Sequence, residues 1–333
     1  MKSNNNKPQQ LKAEGRKMNN FINECISAPR INGMAEFFSS TASGEKHKPF
    51  RLVEIDERFF HSYDYIKFSN YLTKNSGPFV NHYFCSIPYS KEEECRLGTT
   101  VIKYAITINK NLNVWCLGMA EGAMARTISE LAKGNIQTLT TSPTKENEHA
   151  FFKYGSSENA YFICSPFFLL EDKLKSSNCK QFHQGFDIII EDTTFQMYSP
   201  NRVGQINHVK RLLNNDGIFI FTEKHSSEHD EYQKREFQKD YSFKQRYFSK
   251  EEINTKKEIV LNTMNLNEVS VDDMLSAIKQ HFKYASIYGN SGNFYSIAAS
   301  NSLKHISTFI NLLPKAAIPM EYVYEKLPRN IFW

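Results

Sequence analysis

Residues 113–131, NVWCLGMAEGAMARTISEL, run from an apolar stretch through a small-residue turn into a helical pattern. Leu112 to Leu117 has the length and composition of a buried strand. Met124, Ile128 and Leu131 then recur at i, i+4 and i+7 on one helix face, and Gly134 supplies a stop. The turn carries two glycines where nucleotide-binding loops often carry three. Gly118 and Gly122 allow a close backbone approach to a ligand, and Ala120 between them is nearly as small. A tight structural corner uses the same residues, so the turn alone leaves both readings open.

The pattern repeats on either side of this stretch. Apolar runs at Ile136 to Thr140, Tyr161 to Cys164, Phe186 to Ile190 (FDIIIED) and Ile218 to Phe221 (GIFIFTEK) alternate with helical periodicity. Ser142-Pro143 reads as a helix start, and Val203, Ile206, Val209 and Leu213 as a helix between the last two runs. Strands alternating with helices imply right-handed crossovers and a largely parallel α/β sheet covered on both faces. The unbroken apolar character of DIII and IFIF fits strands buried on both sides. A helix near Val271 to Phe282 leads into YASIYGNSGNFYSIAAS, two strands joined by an Asn/Ser/Gly turn. That hairpin closes the sheet with one antiparallel strand.

Taken together, these segments resemble the motifs of the class I S-adenosylmethionine-dependent methyltransferases over about residues 95 to 300. Leu117-Gly118-Met119-Ala120-Glu121-Gly122 resembles the first, glycine-rich motif. IQTLTTSP at 136–143 is similar to the second-strand motif, FDIIIEDTTF at 186–195 to the fourth, and LLNNDGIFIFTEK at 212–224 to the approach to the fifth. The closing hairpin matches the antiparallel seventh strand that separates this family from nicotinamide-binding Rossmann domains. The resemblance implies a Rossmann-like, seven-stranded, mostly parallel sheet with an antiparallel last strand, preceded by a helical N-terminal cap. It implies S-adenosyl-L-methionine as cofactor, held by Leu117, Gly118, Met119, Ala120, Glu121, Gly122, Thr140, Thr141, Ser142, Cys164, Ser165, Asp192 and Thr193. Two positions depart from the family pattern. Cys116 stands where the first strand usually ends in a carboxylate, and Thr140 where a ribose-binding carboxylate is expected. Glu121 is displaced into the loop.

Methyl transfer from a sulfonium is an in-line displacement, so the protein chiefly positions the nucleophile and removes its proton. The candidate catalytic residues are Asp192, with Glu191 beside it, Tyr198 and His225; on a strand end only one of the two carboxylates faces the ligand. The Asn/Asp-Pro-Pro-aromatic signature of amino-methylating nucleic-acid enzymes is absent, with EDTTF in its place. Asp192 and Lys224 half-match the arrangement of ribose 2′-O-methyltransferases, but Asn293 stands where their glutamate is expected. A small-molecule or protein acceptor is the remaining reading. The alternatives are a catalytically silent binding module, motivated by Cys116 and Thr140, and a nicotinamide-dependent oxidoreductase, which the hairpin disfavours.

The rest of the 333-residue chain frames this domain. Residues 1–48 read as a flexible N-terminal region and 49–110 as an aromatic-rich helical cap. Residues 111–300 form the methyltransferase-like domain, with a charge-rich, solvated helical insertion over 226–260. Residues 301–333 read as a C-terminal helix and tail packing on the core. The formal charge of +5 permits an anionic partner without demonstrating one, and nucleic acid is not favoured. Six cysteines without a CxxC pair fit free thiols in a reducing compartment and no metal site. No segment approaches about 18 consecutive apolar residues, so no membrane span and a cytoplasmic protein are expected. Oligomeric state is not legible.

Overall fold

A computed structural model describes residues 20–28, 33–60, 62–156 and 158–333. Its centre is an eight-stranded sheet in the order β3-β2-β1-β4-β5-β7-β6-β8. The strands are β1 Leu112–Leu117, β2 Ile136–Ser142, β3 Ala160–Cys164, β4 Phe186–Asp192, β5 Leu213–Lys224, β6 Tyr284–Ser291, β7 Phe294–Ser300 and β8 Arg329–Phe332. β1 to β5 are mutually parallel, and β7 runs antiparallel to both β5 and β6. The expected parallel sheet closed by an antiparallel strand is present. The expected count of seven is corrected to eight, because the C-terminal tail adds β8 antiparallel to β6 along Tyr284–Ile287.

The apolar strands are buried on both faces, as their composition requires. Val114, Cys116, Ile188, Ile190, Ile218 and Ile220 pack with Phe68, Leu72, Val101, Met124 and Ile128. The alternate residues Trp115, Leu117, Ile189, Phe219 and Phe221 pack with Ile206, Val209, Met274 and Ile278 on the other face. One face is therefore covered by helices Tyr63–Asn75, Ser90–Ile108, Ala123–Ala132 and Leu303–Leu312. The other is covered by Arg202–Lys210 and Val271–Lys279.

Three expectations on the flanking regions change. Of the span expected to be flexible, residues 1–19 lie outside the described residues. Residues 35–42 form a helix whose Phe37 and Phe38 are buried, because these rings pack against Val260 and Met264 of the insertion. The insertion is not a solvated excursion: Lys239, Asp240 and Lys244 are buried, each paired with an opposite charge. The helix after β2 begins at Lys145 with Thr144 as its N-cap, since Ser142 completes the strand.

Candidate functional site

β1 pairs with β2 on one side and β4 on the other, so the turn after β1 opens where the sheet's connections diverge. In open parallel sheets this is where ligands bind, beyond the carboxyl ends of the strands. The turn is tight. Gly118 N–H donates to Thr141 O at 2.9 Å, Ala120 N–H to Gly118 O at 2.8 Å, and Gly122 N–H to Met119 O at 2.8 Å. Gly118, Ala120 and Gly122 have φ of +70°, +44° and +67°. A Cβ on Gly118 would sit 1.9 Å from Thr194 Oγ1, and one on Gly122 would sit 2.5 Å from Thr140 Oγ1. Both glycines are thus demanded by the packing of the turn itself. Ala120 has only the left-handed φ to bear, at about 1–2 kcal/mol.

The turn borders a cavity. Gly118, Met119 and Ala120 line it, with Ala123 and Met124 from the first helical turn, whose N–H groups have no intrahelical acceptor. Ser142, Asp192 and Thr193 reach it from the ends of β2 and β4. Phe38, Phe79 and Tyr83 of the N-terminal helices close it, so the aromatic cap serves partly as a wall of the site.

The cavity is acidic. The Tyr83 hydroxyl donates to Asp192 Oδ1 at 2.7 Å. Burial pushes the Asp192 carboxyl up to about 7, against the hydrogen bonds from Tyr83 and Thr193, which favour the charged form. Glu94, on helix Ser90–Ile108, lines the same cavity, and burial together with Asp192 raises its carboxyl well above the usual range. Among the described residues neither carboxyl has a cationic partner in an ion pair, so the cavity favours a cationic ligand. Opposite them, Asn147 Nδ2 donates to Ser142 Oγ at 3.0 Å while the buried Asn147 Oδ1 has no partner. That orphaned acceptor suits a hydroxyl donor.

A ligand cavity at the end of β1, in a sheet whose parallel strands are closed by antiparallel β7, decides the architecture. The architecture is a Rossmann-like α/β sheet, mostly parallel and closed by antiparallel strands. No family model and no curated protein matches the chain. Among solved structures it is similar to the plantazolicin methyltransferase BpumL in complex with SAH, at 14% identity and a TM-score of 0.44 over 74% of this chain and 93% of that one. The plantazolicin methyltransferase BamL, in complex with a triazolic desmethylPZN analog and SAH, is similar at 14% identity and a TM-score of 0.46, over 72% and 97%. The cyclopropane synthase MmaA2 from Mycobacterium tuberculosis is similar at 12% and 0.36, over 67% and 72%.

Of the residues expected from the sequence, the structure brings together Gly118, Met119, Ala120, Ser142, Asp192, Thr193 and Tyr198 around the cavity. The other expected residues stand outside its lining. Leu117 faces the opposite core, and Gly122 covers Thr140, whose Oγ1 is buried without a partner. Thr141 Oγ1 accepts from Trp115 Nε1 at 3.0 Å, and Ser165 N–H donates to Ser142 O at 3.0 Å, beside Cys164 at the end of β3. The Glu121 carboxylate turns away to accept from Val80 N–H at 3.0 Å, tying the turn to the start of helix Pro78–Phe84.

Of the two adjacent carboxylates only Asp192 lines the cavity. Glu191 Oε1 accepts from Thr194 N–H at 2.6 Å and Phe195 N–H at 3.0 Å, and burial with neighbouring Glu223 holds it well above the usual range. It fixes the turn after β4. His225 is buried against Tyr295, and burial pushes its ring down to about 4. Sequence reasoning missed Glu94, Tyr83 and Asn147. The first two sit in the N-terminal helices, about 20 to 40 residues before the first motif, and no local pattern signals that they fold over it.

Proposed function

We propose that the protein is an S-adenosylmethionine-dependent methyltransferase acting on a small molecule. The observation that carries this reading is the pair of carboxyls without cationic partners, Glu94 and Asp192, in a cavity beside the turn after β1. S-adenosylmethionine, when bound, supplies a methyl group whose carbon–sulfur electron pair returns to sulfur as the acceptor's lone pair takes the carbon. Its net positive charge matches the two carboxyls, and its ribose hydroxyls match the Asn147 acceptor.

The chain's own residues then have separable tasks. The N–H groups of Ala123 and Met124 face the cavity at a helix N-terminus, where they favour an anionic group such as a carboxylate. Burial favours the neutral form of the Glu94 carboxyl, and a cationic group of the bound cofactor beside it would favour the charged form and pair with it. Glu94 takes over from the carboxylate missing at Cys116, a thiol that is buried and lies close enough to Glu94 to be raised by it. Asp192, near neutral pKa, takes the proton from the acceptor's nucleophile, and the Tyr83 hydroxyl holds it in place. Phe38, Phe79 and Met197 exclude water around the transfer.

The test is transfer of label from methyl-labelled S-adenosylmethionine into lysate fractions split into small molecules, protein and RNA. Label is expected in the small-molecule fraction, with an acid limb near pH 7. Label confined to RNA or protein contradicts the acceptor class, and SAH binding without transfer to any fraction identifies a silent binding module.

A further inference from the structure

A second cavity adjoins the first across Phe38, Phe79, Tyr83, Thr193 and Met197, which line both. Its near wall is apolar, with Met264 and Phe294 added to the shared rings. Its far end holds four lysines, Lys224, Lys239, Lys244 and Lys256. Three of them are neutralised. Lys224 Nζ lies 3.1 Å from both Glu236 and Glu268, Lys239 Nζ lies 2.5 Å from Glu236, and Lys244 Nζ lies 3.0 Å from Asp240. With Lys257 also on Asp240, at 2.5 Å, four ammonium groups share these three carboxylates and Lys256 has none.

Lys256 is the one left over. Its Nζ donates to His82 Nε2 at 2.7 Å and to Ser86 Oγ at 2.9 Å. Both acceptors are neutral. His82 Nδ1 is 2.7 Å from His47 O, so it carries the ring's proton and leaves Nε2 as a bare lone pair. Ser86 Oγ in turn donates to His82 O at 2.8 Å. Among the described residues no carboxylate pairs with Lys256, whose Nζ also lies 5.8 Å from the centre of the Phe37 ring. Burial and the neighbouring Lys244 and Lys239 disfavour its charge. An anion seated beside this half-buried amine would favour its charged form and pair with it.

We infer that this second cavity is the acceptor subsite, and that the methyl acceptor is a small amphipathic molecule whose anionic group, a carboxylate or a phosphate, sits on Lys256. The assignment deepens the methyltransferase reading and rests on it for the word acceptor; the anion site stands on its own geometry. The apolar body of such a molecule lies along Phe79 and Met197. Its other end meets Tyr83, where the two cavities join and whose hydroxyl donates to Asp192 of the first cavity. The two pockets then divide the charges: carboxyls face the cationic cofactor, and a lysine faces the anionic acceptor.

The experiment is calorimetric titration of the full chain with inorganic phosphate and, separately, with malonate, each repeated on Lys256→Met and Lys256→Gln. SAH is titrated into all three proteins alongside, and thermal denaturation establishes that each variant folds. Saturable binding of at least one anion is expected, weakened tenfold or more in both variants, with SAH affinity changed less than twofold. Phosphate binding without malonate assigns a phosphate monoester, and the reverse assigns a carboxylic acid. The inference is overturned if neither anion binds, or if both variants bind as the parent does. Lys256-dependent anion binding in a protein that ignores SAH removes the cofactor reading and leaves the anion site intact.

Discussion

Asp192→Asn tests the chemistry of the site without changing its shape. The amide keeps an oxygen for the Tyr83 hydroxyl, which donates at 2.7 Å, and it fixes the side chain in a neutral form. In the folded protein burial lifts this carboxyl from 3.8 to about 7. The folded state therefore holds a proton that the unfolded chain releases near 3.8. Asp192's contribution to stability is lost as pH rises between those values and stays lost above them. The full difference corresponds to about 4 kcal/mol, and solvent reaching a half-buried carboxyl reduces it to about 2 kcal/mol. The amide never ionises, so the variant is expected to melt close to the parent at about pH 4 and about 3 °C higher at about pH 8.5. Differential scanning calorimetry at the two pH values measures this directly. Turnover is expected to fall about 10²- to 10⁴-fold, with SAH affinity changed much less. A Tm difference that is the same at both pH values refutes the buried-carboxyl argument. An equal loss of turnover and affinity makes Asp192 a binding residue rather than a base.

Other outcomes follow from the same geometry. Tyr83→Phe removes a donor that favours the charged carboxylate, so the acid limb of the pH–rate profile is expected to move up by about one pH unit; an unmoved limb separates Tyr83 from Asp192. Glu94→Gln removes the countercharge and is expected to weaken SAH binding about tenfold, in line with the roughly 1.5–3 kcal/mol of a charged hydrogen bond. Unchanged affinity by calorimetry excludes Glu94 from the cofactor site. Gly118→Ala meets Thr194 Oγ1 at 1.9 Å on a backbone with φ of +70°. It is expected to cost about 3 kcal/mol of stability whether or not SAH is present, and a variant that melts like the parent shows that the turn relaxes.

The sheet is legible in the sequence because its signal is local and repeated. β1 can be read to the residue, and β4 and β5 show unbroken apolar runs because they are buried on both faces, whereas β2, IQTLTTS, carries only Ile136 and Leu139 among polar residues. β8 carries no such signal, since RNIF is short and mostly exposed and is held by pairing with β6 and by the packing of Ile331. The site is half legible. Asp192 and the turn after β1 carry motif signals, but Glu121 and Thr140 occupy motif positions while serving other neighbours. Glu94, Asn147 and the lysine cavity depend on which distant segments fold together. The charge run of the insertion is the most misleading stretch. Balanced Lys and Glu read as a solvated face, yet here the balance reflects ion pairs made inside the protein. The glycines mislead in the opposite sense: Gly118 and Gly122 look like ligand clearances and are packing requirements against Thr194 and Thr140.

The most direct measurement of the central claim is calorimetric titration of the full chain with SAH at pH 7.5, with NAD as the control ligand. The account predicts one-to-one binding of SAH, weakened about tenfold by Glu94→Gln, and no heat from NAD. No SAH binding at millimolar concentration, or saturable binding of NAD, contradicts it.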